Sequence, residues 1–324
     1  MTRYFSGALW ITTFLAGLAF AAGPPAATMP LVPGPDGDPS TWKRVEFTNV
    51  QKVTDLWDKY HFTPTAIKAG ERTVPRIYFA DIPARWGQTT APSLTVRKKK
   101  ITFLFGMAPM VLAVDEEVML ERKRLDSLIA KHRAGKPWDR DEENWLDSLA
   151  ARYGVKDNVE TAATLDELAT RVDAIPPSLV LAQAAVESGW ATSRFAAEGS
   201  ALFGQWTYGG AGITPKEQRT ASKGDYKIQA FATPLDSIRA YLLNLNTNRS
   251  YEALRKKRRT LREEGKPVTG VALASGLLNY SERGQAYVDE LRTLIHRNNL
   301  ELADLATLRD MTPILLVPEG KGVH

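Results

Sequence analysis

The sequence predicts a mainly helical α+β fold with a small β-hairpin lobe, and three observations carry that prediction. Apolar residues recur at helical spacing in several runs between Ile101 and Arg297, separated by caps and breakers. Past Gly204 the composition changes, and glycine and threonine with weak alternation replace the helical period. Over 324 residues, 44% hydrophobic and 24% charged side chains leave room for a sizeable core and up to two domains.

Taken in order, Arg3 precedes the apolar run Ala8–Phe20, and Ala19-Phe20-Ala21 forms a small-x-small cleavage pattern. Residues 1–21 therefore read as a secretory signal peptide. The rival is an uncleaved anchor over Tyr4–Ala22, nearly long enough for a bilayer core of about 30 Å. Either way the body of the chain is expected outside the cytoplasm, in the periplasm or cell envelope. Residues 22–41 are dominated by proline and glycine and predict an extended linker, with folded sequence beginning near Trp42. Residues 42–95 form an extension of unassigned role, with a helix around Asn49–Tyr60 and a strand at Arg76–Ala80. Next comes a long helix through Arg133. Its first part, Ile101–Val114, is too short to span a membrane and reads as a core helix kinked near Pro109. Its second part places Val118, Leu125, Leu128 and Ile129 on one face with charge opposite, the pattern of a surface helix, and Gly135 and Pro137 stop it.

Asp139–Tyr153 and Thr164–Val172 predict two further helices, the second opened by a Thr164/Glu167 capping box. A helix over Ser178–Ser188 follows, then the hairpin excursion. Thr233-Pro234 caps a helix carrying Leu235, Ile238, Leu242 and Leu245. The last helix is Gln285–Arg297, with Val288, Leu291 and Ile295 inward. Residues 301–324 read as a tail, loose from Met311 onward. There is no internal repeat.

The net charge of +5 is modest, and few aromatics interleave with the basic runs Arg97–Lys100 and Arg255–Arg259. Both read as solvated helix faces, so no nucleic-acid partner is expected. A weakly basic protein suits an anionic polymer such as a cell wall. With no cysteine, disulfides, thiolate metal sites and cysteine nucleophiles are excluded. The four histidines lie far apart without helical pair spacing, and a histidine-built metal site is not expected.

One residue resists a purely structural explanation. Glu187 falls in the last turn of the Ser178–Ser188 helix, where the macrodipole disfavours a carboxylate. Its neighbours Leu181, Ala184, Ala185 and Val186 are apolar, so desolvation also favours the protonated form. A glutamic acid kept protonated near neutrality is what a general acid requires. Gly189 is suited to end the helix in the left-handed conformation and leave that carboxyl at an opening.

The stretch "LVLAQAAVESGWATSRFAAEGSALFGQW" resembles the glucosaminidase family of peptidoglycan hydrolases, glycoside hydrolase family seventy-three. Its elements are Glu187-Ser188-Gly189-Trp190 and Ala201-Leu202-Phe203-Gly204. "RFAAEGSALFGQW" and the upstream "KKKITFLFGMAPMVLAVDEEVMLERKRL" are similar to the Bax-type branch, and the likeness runs from about Arg97 to Asn299, within an expected domain of residues 96–300. The resemblance implies a lysozyme-like fold and an endo-β-N-acetylglucosaminidase that cleaves β-1,4 bonds in peptidoglycan glycan strands. It implies Glu187 as the general acid, and no metal or organic cofactor. A monomer is expected.

Glycoside hydrolysis usually takes a second acidic group. The resemblance points to Glu217, although Gln218 replaces the family's tyrosine and Pro215 is unusual in a strand. Asp225 and the substrate's own acetamido group are the alternatives. "LLNYSERGQAYVDELRTLI" resembles the family's two-tyrosine element, with Tyr280 matched to a cleft-lining tyrosine and Tyr287 assigned to the core. Glu282-Arg283-Gly284 replaces the family's Thr-Asp-Pro. Trp190 is assigned to the core, while Trp206 and Tyr208, with Phe203 and Gln183, make up the substrate-binding candidates. A lytic transglycosylase and a catalytically degenerate wall-binding protein are the competing functions.

Overall fold

The computed structural model describes residues 34–215 and 226–319. It is mainly helical with three small sheets. The signal-peptide reading and the candidates Glu217 and Asp225 lie outside the described residues.

The N-terminal part contains β1 (Lys43–Phe47), α1 (Val50–Lys59), α2 (Pro64–Lys68), β2 (Thr73–Val74) and β3 (Ile77–Phe79). Asn49 and Thr63 cap the two helices through their side chains. After a π-turn at Trp86–Thr90 and the short α3 (Ala91–Ser93) comes α4 (Val96–Arg133), a 38-residue helix with Pro109 inside. Then follow α5 (Arg140–Arg152), α6 (Ala162–Arg171), α7 (Pro177–Ser188) and α8 (Arg194–Gly199). The strands β4 (Trp206–Thr207), β5 (Gly212–Ile213) and β6 (Lys227–Gln229) form an antiparallel lobe in the order β4-β6-β5. The remaining helices are α9 (Pro234–Thr247), α10 (Glu252–Glu263), α11 (Gly270–Leu273) and α12 (Gln285–Arg297), followed by β7 (Thr307–Leu308) and β8 (Ile314–Pro318).

The stretch expected to be a loose tail is the middle strand of a sheet. β8 lies between β1 and β3 and runs parallel to both, with Lys43 opposite Ile314 and Ile77 opposite the same residue. β7 pairs with β2 in the same parallel sense. Ile314, Leu316 and Val317 are buried, and the first two share a core with Phe47, Val53, Trp57, Phe62 and Ile77. "ILLVP" is an unbroken apolar run, as expected of a strand covered on both faces. The N-terminal extension and the C-terminal segment are thus two halves of one β layer.

Packed chain also begins earlier than Trp42. Asp36 accepts hydrogen bonds from Arg76 at 2.6 Å and from the Tyr78 hydroxyl at 2.8 Å, and its carbonyl accepts from the Trp42 indole at 2.7 Å. Residues 36–41 are tied to the sheet and do not form a free linker.

Three further expectations change. The charge of α4 is only partly solvated: Lys123, Asp126 and Arg133 are exposed, but Glu117 forms a bidentate pair with Arg239, and Glu121, fully buried, accepts from the Tyr153 hydroxyl at 2.8 Å. The cap of α6 is Thr161, three residues before the expected Thr164, and Glu167 pairs with Arg171. In the basic run Arg255–Arg259, Arg255 and Arg258 are buried. Arg258 donates to the carbonyls of Asp173, Ala174 and Thr170 and to Asn246 Oδ1, stapling α10 to the loop before α7. Its Nε lies 3.5 Å from the Asp173 carboxylate. Arg258→Leu removes the donor to the Ala174 and Thr170 carbonyls and to Asn246 Oδ1 and one cation beside the buried Asp173 carboxylate, so thermal or urea unfolding should show a loss of about 3–5 kcal/mol.

Candidate active site

The site grows from α7, the most enclosed helix of the chain. Ser178 to Ala185 are all buried, against α4, α11, α12 and the 3-10 turn Leu300–Leu305. Only in the last turn does burial become partial, at Val186 and at Glu187.

The turn after it is unusual. Gly189, Trp190 and Ala191 all have positive φ, at 60°, 65° and 60°. The two non-glycine residues each cost about 1 kcal/mol in this conformation. The turn persists because its polar groups are satisfied: Trp190 N donates to Ala185 O at 2.9 Å, Ala191 N to Ser188 Oγ at 2.7 Å, and Ser193 N to Ser188 O at 3.1 Å. It is also braced from outside. The Trp86 indole donates to the Trp190 carbonyl at 2.9 Å, and Gly87 lies so close that an added Cβ would sit 2.5 Å from the Thr192 carbonyl oxygen. The Trp190 ring meets Phe103 edge-on, with Lys100 above it at 4.9 Å. The segment before α4 thus supports the turn that presents Glu187.

Around the carboxyl lies a bed of tyrosines. The Tyr287 hydroxyl donates to Glu187 Oε1 at 2.7 Å. The Tyr287 ring is parallel to that of Tyr280 at 5.6 Å, and Tyr280 approaches Tyr251 at 5.8 Å. Burial raises the Glu187 carboxyl from its ordinary 4.5 to about 7. The Tyr287 hydrogen bond opposes that rise, Glu290 adds to it and Arg283 opposes it. Burial first, and then the charge of Glu187, hold the Tyr280 and Tyr287 hydroxyls well above the ordinary phenol range.

The other candidates divide. The Tyr280 hydroxyl is beside the site but engaged, donating to the Phe203 carbonyl at 3.1 Å and tying α12's approach to the Leu-Phe-Gly element. Phe203 is buried with its ring stacked on Tyr241 at 3.8 Å, so it is core and offers no face to a substrate. Gln183 is fully buried, bonded to Tyr287 and Tyr241, and cannot touch a substrate either. Trp206 is buried and stacked on Tyr226 at 4.0 Å inside the β lobe, which replaces its cleft assignment with a core one. Tyr208, 51% exposed, is the one aromatic of that set open to solvent. Tyr287 is buried in the core as assigned, and its hydroxyl in addition makes the direct bond to Glu187. Its place in the two-tyrosine element was a usable signal, whereas nothing in the local sequence of Trp86 or Gly87 pointed to this turn. A cavity of about 610 Å³ between α2, α4 and residues 298–306 does not include Glu187. The chemistry follows the carboxyl and its partners, not that void.

The arrangement is a desolvated carboxylic acid at a helix end, hydrogen-bonded on one oxygen by Tyr287, with the character of a proton donor. A family model described as "Glucosaminidase: Mannosyl-glycoprotein endo-beta-N-acetylglucosaminidase" matches residues 162–300, from α6 through α12. "Protein bax" of Escherichia coli (strain K12) is 34% identical over 214 residues, which is 65% of this chain and 73% of that protein. No solved structure matches. With the mainly helical α+β architecture and the Glu187 turn inside the matched region, the chain belongs to the glucosaminidase family, in its Bax-type branch.

Proposed function

We propose that the protein is an endo-β-N-acetylglucosaminidase that cuts β-1,4 bonds in peptidoglycan glycan strands, outside the cytoplasm, with Glu187 as general acid. The observation that carries this reading is the Glu187 carboxyl at the end of a buried helix, pushed up to about 7 by desolvation within a glucosaminidase-family segment. A protonated Glu187 gives its proton to the leaving glycosidic oxygen as an oxocarbenium-like centre develops on the sugar. A second acidic group is proposed at Glu217, in the segment between β5 and β6, where it would act on the opposite face of the sugar. Tyr208 supplies an exposed ring for a sugar's C–H face. No helix among the described residues is long and apolar enough to cross a membrane.

Mass spectrometry of the fragments released from purified peptidoglycan tests the reading. Reducing N-acetylglucosamine ends are expected. Anhydro-muramyl ends would make the protein a transglycosylase, and an absence of fragments with retained wall binding would make it a scaffold.

The brace on the catalytic turn gives a second test. Gly87→Ala drives a methyl group against the Thr192 carbonyl and displaces the turn that carries Glu187. Glycan cleavage should fall by about tenfold or more, since small misplacements of a catalytic group are costly. The clash with backbone should also cost about 1–3 kcal/mol in thermal unfolding, so kcat/KM is compared at a temperature where both chains remain folded.

A further inference from the structure

Two buried polar residues near Glu187 have no role in the chemistry so far. Gln183 lies one turn earlier on α7, and Tyr241 lies on α9, both shielded from solvent. The Tyr241 hydroxyl meets Gln183 Oε1, Gln183 Nε2 lies 3.0 Å from the Tyr287 hydroxyl, and that hydroxyl lies 2.7 Å from Glu187 Oε1. The direction of each bond follows from what the atoms are. An amide oxygen only accepts, so Tyr241 donates to it; an amide nitrogen only donates, so Tyr287 accepts from it. A phenol has one proton, and that of Tyr287 is left for Glu187. Turning the Gln183 amide over would reverse the chain and leave the buried Tyr241 proton facing a donor, with no other acceptor for it among the described residues. A buried donor without an acceptor is costly.

We infer that Tyr241, Gln183 and Tyr287 form a one-way hydrogen-bond chain that fixes which oxygen of Glu187 carries the acid proton. Oε1 is held as an acceptor, so the proton is presented on Oε2. Tyr287 acts on the substrate only through Glu187, and Gln183 and Tyr241 only through Tyr287, so all three are positioning residues. Their role rests on the reading of Glu187 as the acid. The groups facing that carboxyl are Tyr287 and Glu290 on α12, Arg283 in the turn before it, Tyr241 on α9, and Tyr251 and Tyr280. None of the others is hydrogen-bonded to Glu187 among the described residues.

The test is a carboxyl-carbon NMR titration of Glu187 in the purified full chain, assigned by its loss in Glu187→Gln, alongside the pH profile of glycan cleavage. Tyr287→Phe keeps the ring and removes only the donor, so the titration and the alkaline limb of activity should both move upward by about one pH unit. Gln183→Met should move them in the same direction by less. The double variant should match Tyr287→Phe alone, because Gln183 works through Tyr287. A downward shift in Tyr287→Phe would mean that Tyr287 accepts from Glu187, and it would overturn the proposed direction. No shift would reduce Tyr287 to packing and overturn the proposal outright. If Gln183→Met does not fold, Tyr287→Phe decides alone. A wild-type chain that cleaves no glycan while Tyr287→Phe still raises the titration would sink the glucosaminidase reading and leave the chain of bonds supported.

Discussion

Glu187→Gln is expected to slow glycan cleavage by about 10²–10⁴-fold. The amide keeps the shape of the side chain and the acceptor for Tyr287 but has no acid proton to give. The same substitution should act on stability with a definite dependence on pH. The folded-state pKa of Glu187 lies above the ordinary glutamate value, so folding favours the protonated form. That contribution is whole below about 4.5 and is lost as the pH rises through about 7. Above neutrality the wild-type chain holds a carboxylate in an apolar setting, at a cost on the order of 2–3 kcal/mol. Glu187→Gln should therefore melt at a higher temperature than wild type above pH 7 and close to it below pH 4.5. An inactive variant more stable only in alkaline buffer would be a direct sign of a functional carboxyl kept at the expense of stability. Undiminished activity would remove Glu187 from the chemistry.

Truncation before Pro313 has the second large expected effect. β8 is the middle strand between β1 and β3, and its loss strips both of their partner and opens the core around Phe47, Trp57 and Ile77. Ile314, Leu316 and Val317 are buried, and each contributes about 1.5–3 kcal/mol. Most of the stability of an ordinary domain is of that size. The truncated chain should lose a cooperative melting transition for the N-terminal part and be cut rapidly by protease within residues 34–95. Because Trp86 and Gly87 follow that layer and brace the Trp190 turn, activity should fall as well. A truncated chain that melts and cleaves like the full one would show that β8 is dispensable, as a loose tail would be.

These two cases also show where sequence alone sufficed. Several of the longer helices were legible because their signals are local: Thr233 and Pro234 open α9, and Gly189 closes α7 in the left-handed conformation. Glu187 was legible for the same reason, since a helix end and its neighbours on one strand of sequence determine its environment. The β layer was not. Its strands are two to five residues long and pair across more than 230 positions, so no window of sequence contains both partners. The buried charges of α4 and α10 were missed because an arginine at helical spacing looks the same whether it meets water or, as Arg258 does, a ring of carbonyls from another helix end. Tyr287 was placed in the core because it begins a helix, which is correct for its ring. What that position could not show is that α12 packs against α7 so as to aim the hydroxyl at Glu187.

The most direct measurement of the account is the pH dependence of kcat/KM for cleavage of purified glycan strands. A general acid held by desolvation at the end of α7 predicts an alkaline limb with an apparent pKa of about 7. Activity that stays flat well above that pH, or that falls away near the ordinary glutamate value of 4.5, would contradict it.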